Sequence, residues 1–327
     1  MSLLNTTIPE DGDLPHHTQK KILQRLNEGI ATSNFSATQP VSGTVSVDNL
    51  PAEQVVIGNV LRDDTIDGTN PTVVTRPATT FEFDASRGVY PDVAGVHKFG
   101  FNAAVPNGSF ADVYSYGATV PVYPWPTAAL KIRIKAGGNA ADTAAGAGAQ
   151  EITVVGLDTN FAEISETIAT NGALVSAETT QSFRRVFRCY VSKVGTYGVA
   201  NTGLVLVENS GGAVLASITA GYGQTQMTHY TVPAGKTAYL VHVDCQVASG
   251  TSKDADVLFW QRRDADDATA PTYGAKRLIL QFIGLQGQGQ YDFMYYPSFP
   301  AKTDLWASAK GNGALTGANL TYDLFLI

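Results

Sequence analysis

The places where this 327-residue chain could do chemistry are its five histidines, two acidic clusters and one group of arginines. His16, His17, His97, His229 and His242 form no HxH or HExxH pattern, the spacing that sets two imidazoles on one metal. His16 and His17 open a predicted helix, where solvation accounts for them; a divalent ion held across a symmetry axis is the alternative reading. His229 and His242 flank a VPAGK turn and would be cross-strand neighbours if their strands form a hairpin. The acidic clusters are RDDTIDGTN, with Asp63, Asp64 and Asp67, and RRDADDATAP, with Asp264, Asp266 and Asp267. A calcium loop needs converging oxygens, a turn glycine and a distal bidentate glutamate. The first cluster has Gly68 without that spacing, and the second has Arg262 and Arg263 beside it for local pairing. No metal and no cofactor is expected.

Nucleophile and phosphate motifs are missing too. GxSxG, GxxxxGK[ST] and a GxGxxG between strand and helix do not occur. The runs GYGQTQ and GLQGQGQ read as turns between strands. A glycosidase needs two carboxylates across a cleft, whereas the aromatics here sit inside strand-like runs at core spacing. The chain is therefore expected not to be an enzyme. Arg184, Arg185 and Arg188 are the densest basic spot. A strand puts Arg184 and Arg188 on one face and Arg185 on the other, paired or solvated. With a net charge of −7, a pI near 5.2 and no basic run of five, a phosphate-tracking surface is excluded, and no nucleic acid is expected as partner. Cys189 and Cys245 lie in separate predicted strands without a CxxC, and free buried thiols are expected. No signal-peptide pattern and no run of 18 apolar residues is present, so no membrane association is expected, and synthesis is placed in a reducing cytoplasm.

These groups must be held by elements, and the elements are mostly strands. One helix is predicted at HTQKKILQRLNEGI, capped by Asp13 or Thr18 and stopped at Gly29. Ile22, Leu23, Leu26 and Ile30 make its apolar stripe. So short a helix must dock to persist. An extended arm follows, in which Val41, Gly43, Val45 and Val47 share one face of a short strand. Such arms add strands to neighbouring subunits. From Thr72 onward strands dominate, beginning with PTVVTRPATTFEFDASRG. LKIRIK alternates, with Leu130, Ile132 and Ile134 inward. AGGNAADTAAGAGA, nearly devoid of side chains, reads as a flexible surface loop. Eleven strand-like runs then follow to the end, separated by turn residues such as Asn171-Gly172 and Ala234-Gly235. The predicted fold is mainly β, with antiparallel β-sandwich or jelly-roll domains behind an N-terminal helix and extended arm. The predicted divisions are 1–70 (helix and arm), 71–135 (first β region) and 136–327 (C-terminal sandwich). Only 16% of residues are charged, against roughly 25% in soluble domains, which fits a surface spent on assembly contacts.

From about Leu130 to the end, the chain resembles a family of tailed-bacteriophage virion structural proteins. The segments that carry the likeness are AGGNAADTAAGAGAQEITVVGLD, SFRRVFRCYVSKVGTYGVANTG, GYGQTQMTHYTVPAGKTAYL, KRLIL and SFPAKTDLWASA. The resemblance covers roughly the C-terminal 60%, and the order of the segments is specific; the front segment ATQPVSGTVSVDNLPA also looks like the arms of such proteins. It implies a place in the virion, assembly in the host cytoplasm, and partners among other virion proteins, either the major capsid protein or tail proteins. By analogy it implies a homo-oligomer, preferably a trimer. The expected role is a capsid decoration or cement protein; the alternative is a tail or adsorption protein that binds a receptor or carbohydrate. The residues expected to make contacts are Ile22, Leu23, Leu26, Val41, Val45 and Val47 in the helix and arm. For the alternative they are an exposed aromatic platform of Tyr114, Tyr116, Tyr123 and Trp125.

Overall fold

Apolar and polar side chains alternate with a period of two through most of the last 230 or so residues, and a pleated strand turns that pattern into one dry and one wet face. The computed structural model describes residues 81–115, 122–136, 139–248, 254–267, 274–313 and 316–327, all within the unit Ala78–Ile327. The predicted helix and arm over 1–70 lie outside the described residues, as does Tyr116.

A helical turn and a half, α1 (Phe81–Ser86), leads in. The strands that follow are β1 (Ala94–Val105), β2 (Ala111–Asp112), β3 (Leu130–Ala136), β4 (Ala149–Leu157), β5 (Glu163–Ala169), β6 (Ser182–Phe183), β7 (Arg185–Val194), β8 (Val205–Asn209) and β9 (Val214–Ile218). The chain continues through β10 (Tyr230–Thr231), β11 (Ala238–Ala248), β12 (Ala255–Arg262), β13 (Arg277–Leu285), β14 (Gly287–Asp292), β15 (Ser298–Phe299), β16 (Asp304–Gly311) and β17 (Thr316–Leu326). Every pairing between these strands is antiparallel. The mainly β, antiparallel sandwich expected from the residue pattern is the architecture found.

The strands build two cores. One sheet runs β1-β17-β11-β14 with β15 beside β11; a second runs β10-β16-β12-β13 with β2 beside β16. They enclose a core that includes Val113, Leu240, Val243, Val257, Phe259 and Leu320. The other pair of sheets, β6-β3-β8-β9 and β5-β4-β7, encloses Ile132, Ile134, Ile152, Val154, Phe183 and Leu215. The first sandwich is thus discontinuous in sequence. It starts with β1 and β2, is interrupted by the whole second core, and resumes at β10. Both cores draw on either side of residue 135, and β3 itself crosses the boundary drawn there from composition.

Three local readings change, and one strand carries a bulge. FEFDAS alternates like a strand but forms α1, which buries Ala85 and sets the Phe81 ring edge-on to Phe325 at 4.9 Å. The small-residue run after β3 is a packed loop over its described part, residues 139–149. Its Asp142 is fully buried and accepts hydrogen bonds from the backbone N–H groups of Ala149 at 2.8 Å and Gly203 at 2.8 Å. Its glycines are there for close approach, since a Cβ on Gly146 would lie 2.1 Å from the Ala141 carbonyl oxygen. Six of the seven residues of GLQGQGQ lie in strands, two at the end of β13 and four in β14, rather than in a turn. Its Gly289 lies against the Phe282 ring, 2.7 Å from where a Cβ would sit. In β11 a bulge between Leu240 and His242 switches the inward face, so Leu240 and Val243 are both buried although their spacing is odd.

Candidate functional site

The two cores meet along a polar seam built around Asp304, the first residue of β16. It is fully buried. Arg185, at the start of β7, grips its carboxylate with two nitrogens, Nε to Oδ1 at 3.1 Å and Nη2 to Oδ2 at 3.2 Å. Arg262, at the end of β12, donates to Oδ2 through Nη2 at 2.5 Å, and the Thr231 hydroxyl donates to Oδ1 at 2.6 Å. The third nitrogen of Arg185, Nη1, donates to the Pro126 carbonyl at 2.6 Å. One carboxylate therefore collects donors from the inserted core and from two strands of the sandwich. Charge-assisted, bidentate pairs of this kind fix geometry as well as energy.

The aromatic residues singled out from sequence lie beside this seam, and the structure corrects their role. Tyr114 and Tyr123 are buried, so they cannot form an exposed platform. The Tyr123 hydroxyl accepts from the Val186 N–H at 3.1 Å, and the ring stacks on His229 at 4.8 Å. Its own N–H donates to Asp112 Oδ2 at 2.7 Å, and that same oxygen lies 3.0 Å from His229 Nε2. Burial holds the Tyr123 hydroxyl protonated, its pKa pushed up to about 12. Trp125 is half-buried with a positive φ of 47° and packs edge-on to Trp306 at 5.0 Å. Arg262 and Arg185 cover its ring at 4.9 and 5.4 Å. Trp260 stacks beyond Trp306 at 6.5 Å, so all three tryptophans of the chain gather here. No local signal foretells this, because the three come from separate stretches of chain.

The other candidate groups separate. His229 and His242 do not meet: β10 and β11 belong to different sheets, and His242 pairs with Asp292 at 2.6 Å. Cys189 and Cys245 are free and buried, in different cores. Burial raises both thiol pKa values, that of Cys245 to about 12. Arg184 and Arg185 are both buried and Arg188 is exposed; a break between β6 and β7 removes the simple alternation. Asp266 pairs with Lys302 at 2.5 Å, which lowers its pKa. Among the described residues, no group of three or more His, Cys, Asp or Glu side chains converges, and no helix is long and apolar enough to cross a membrane. His16, His17, Asp63, Asp64 and Asp67 lie outside the described residues.

The surface feature that sequence reasoning missed is the open edge of the first sandwich. β14 ends one sheet and β13 ends the other, and a tight turn at Gly287, with φ of 87°, joins them on the same side. Along this edge Ile283 is 61% exposed, and just past β14 Met294 and Tyr295 are 88% and 85% exposed. Leu278, Tyr291 and Tyr296 are exposed as well. Alternation in RLILQFIGL suggests one buried face, but an edge strand with little above it leaves most of both faces in water.

No protein-family model matches the chain, and no curated protein matches it. Among solved structures, it is similar to one of the infectious bursal disease virus Gt strain, at 7% identity over 72% of each chain with a TM-score of 0.21. It is likewise similar to the VP2 subviral particle of infectious bursal disease virus, at 8% identity over 72% of each chain with a TM-score of 0.19. Scores this low give no template for the strand order, which rests on the pairings described above.

Proposed function

We propose that the chain is a non-enzymatic structural component of a bacteriophage particle that assembles with copies of itself and with other virion proteins. The observation that carries this reading is the β13–β14 edge. Edge strands of free proteins are usually blunted by charge, proline or shortness. Here β13 has nine residues, no proline and one charged side chain, Arg277, and β14 adds only Asp292. Bulges against β12 twist β13 without charging its edge. Exposed isoleucine, methionine and tyrosines beside unpaired backbone mark a surface made to be covered. Another copy of the chain is the occupant we assign to it. The resemblance of the C-terminal segments to tailed-phage virion proteins supports the same reading.

Within the particle the role we favour is decoration or cement on the head, with a trimer as the assembly unit; a tail or adsorption position is the second reading. With Tyr114 and Tyr123 buried, the aromatic platform that would favour that second reading is lost. Sedimentation of the full chain over a range of concentrations, with mass spectrometry of purified particles, tests the proposal. A defined oligomer and presence in the particle are expected, and Ile283→Lys combined with Met294→Lys should shift the chain toward monomer. A wild-type chain that stays monomeric and is absent from particles overturns it.

A further inference from the structure

Between the two cores lies a cavity of about 620 Å³, open on one side. That is within the range of small-molecule sites. Its apolar wall includes Val96 and Phe99 of β1, Val155 of β4 and Phe187 of β7. Three polar side chains on this cavity could serve a ligand: Lys98 and Tyr230 are buried and short of partners, and Arg188 is exposed. Lys98, in β1, is buried, and its ammonium donates one hydrogen bond, to the Phe187 carbonyl. No carboxylate pairs with it among the described residues. Arg188, in β7, lies close enough to repel it and pairs with no carboxylate either; its guanidinium sits over the Tyr190 ring at 5.3 Å. The Tyr230 hydroxyl, on β10, is buried with no hydrogen-bond partner among the described residues.

Two adjacent cations that no carboxylate among the described residues pairs, beside a hydroxyl free to donate, have the chemistry to hold an anion. We propose that this cavity binds a small organic carboxylate. Lys98, Arg188 and Tyr230 hold its charged end, and its apolar part lies against Val96, Val155 and Phe187. The other titratable groups near Lys98 do not compensate it. Cys189 of β7 is a buried neutral thiol and His97 points away to Asp323 at 2.6 Å. Glu163 of β5 lines the same cavity and pairs with neither cation, but its charge acts on the Tyr230 hydroxyl, so the two cations must outweigh it. Tyr322 of β17, opposite Lys98 in the ladder, donates to the Thr228 carbonyl at 2.6 Å. Burial, and then Arg188, lower the Lys98 pKa to about 7. A ligand that needs the ammonium form therefore binds more tightly at pH 6 than at pH 8, by about tenfold.

Calorimetry on the full chain with hexanoate, acetate and inorganic phosphate, at pH 6 and pH 8, tests this. Saturable hexanoate binding is expected, about tenfold tighter at pH 6. Hexanoate should bind more tightly than acetate, by about fourfold per methylene that reaches the apolar wall. Arg188→Gln and Tyr230→Phe should each weaken binding several-fold, and Lys98→Met should abolish it. Should Lys98→Met fail to fold, the other two variants decide. The absence of saturable binding at pH 6, affinity that both variants leave unchanged, or phosphate bound in preference to hexanoate overturns the proposal.

Discussion

The seam at Asp304 and the edge at β13–β14 reverse the usual placement of side chains. The seam buries an Asp–Arg pair; the edge exposes isoleucine, methionine and tyrosine. Buried ion pairs add little net stability over apolar packing, but they are costly to break once formed. The seam therefore specifies how the two cores of one chain meet. Apolar side chains in water gain free energy when anything of matching shape covers them. On the reading proposed above, the edge is where another molecule docks. The contrast teaches that the contacts within the chain are made geometrically exclusive, and the outward ones are left open.

Breaking the seam should have the largest effect. Asp304→Asn leaves Arg185 buried opposite a neutral amide and should lower stability by about 3–5 kcal/mol. In urea, followed by tryptophan fluorescence, the transition should move to lower denaturant and split if the seam couples the cores. A single unshifted transition would remove the seam from the argument. Lys98 sharpens the comparison, because it is a buried cation without the seam's carboxylate. Its pKa is depressed from the ordinary 10.5 to about 7, so between those values the unfolded chain binds more protons and stability rises with pH. Above about pH 9 the cysteine thiols, whose folded pKa values are raised, oppose this trend. The difference between wild type and Lys98→Met should therefore change by about 2–3 kcal/mol from pH 7 to pH 9, with the variant relatively more stable at the lower pH. A difference independent of pH would show that Lys98 is charged throughout.

A smaller effect is expected at Tyr123→Phe. It removes the hydroxyl that the Val186 backbone uses twice and should cost about 1–2 kcal/mol of unfolding free energy. At the edge, Ile283→Lys should change stability by no more than about 0.5 kcal/mol, because the side chain is already in water. Its effect should appear in sedimentation instead, as weaker self-association. A large loss of stability there would mean that the edge serves the chain's own core.

Most of the strands were legible from alternation alone. LKIRIK shows why: Ile132 and Ile134 are buried while Lys131 and Lys135 are exposed, as a period of two demands. The Ala234-Gly235 turn was legible because Gly235 takes a φ of 77°, costly for other residues. Asp142 was not, because a small-residue loop and a distant Thr202-Gly203 backbone give a carboxylate its value only when folded together. The inserted core was not either, since no local pattern reports that β2 is completed by strands more than a hundred residues later.

Most of the strands, many of the turns between them and the absence of a long apolar span follow from residue type and spacing, because these express preferences of single residues and their near neighbours. Which strands share a sheet, that one sandwich is split around another, and that Arg185, Asp304, Trp125 and Lys98 stand where two cores meet were settled only in three dimensions. Pairing partners distant along the chain are chosen by the free energy of the whole packed arrangement, and no window of sequence contains that sum.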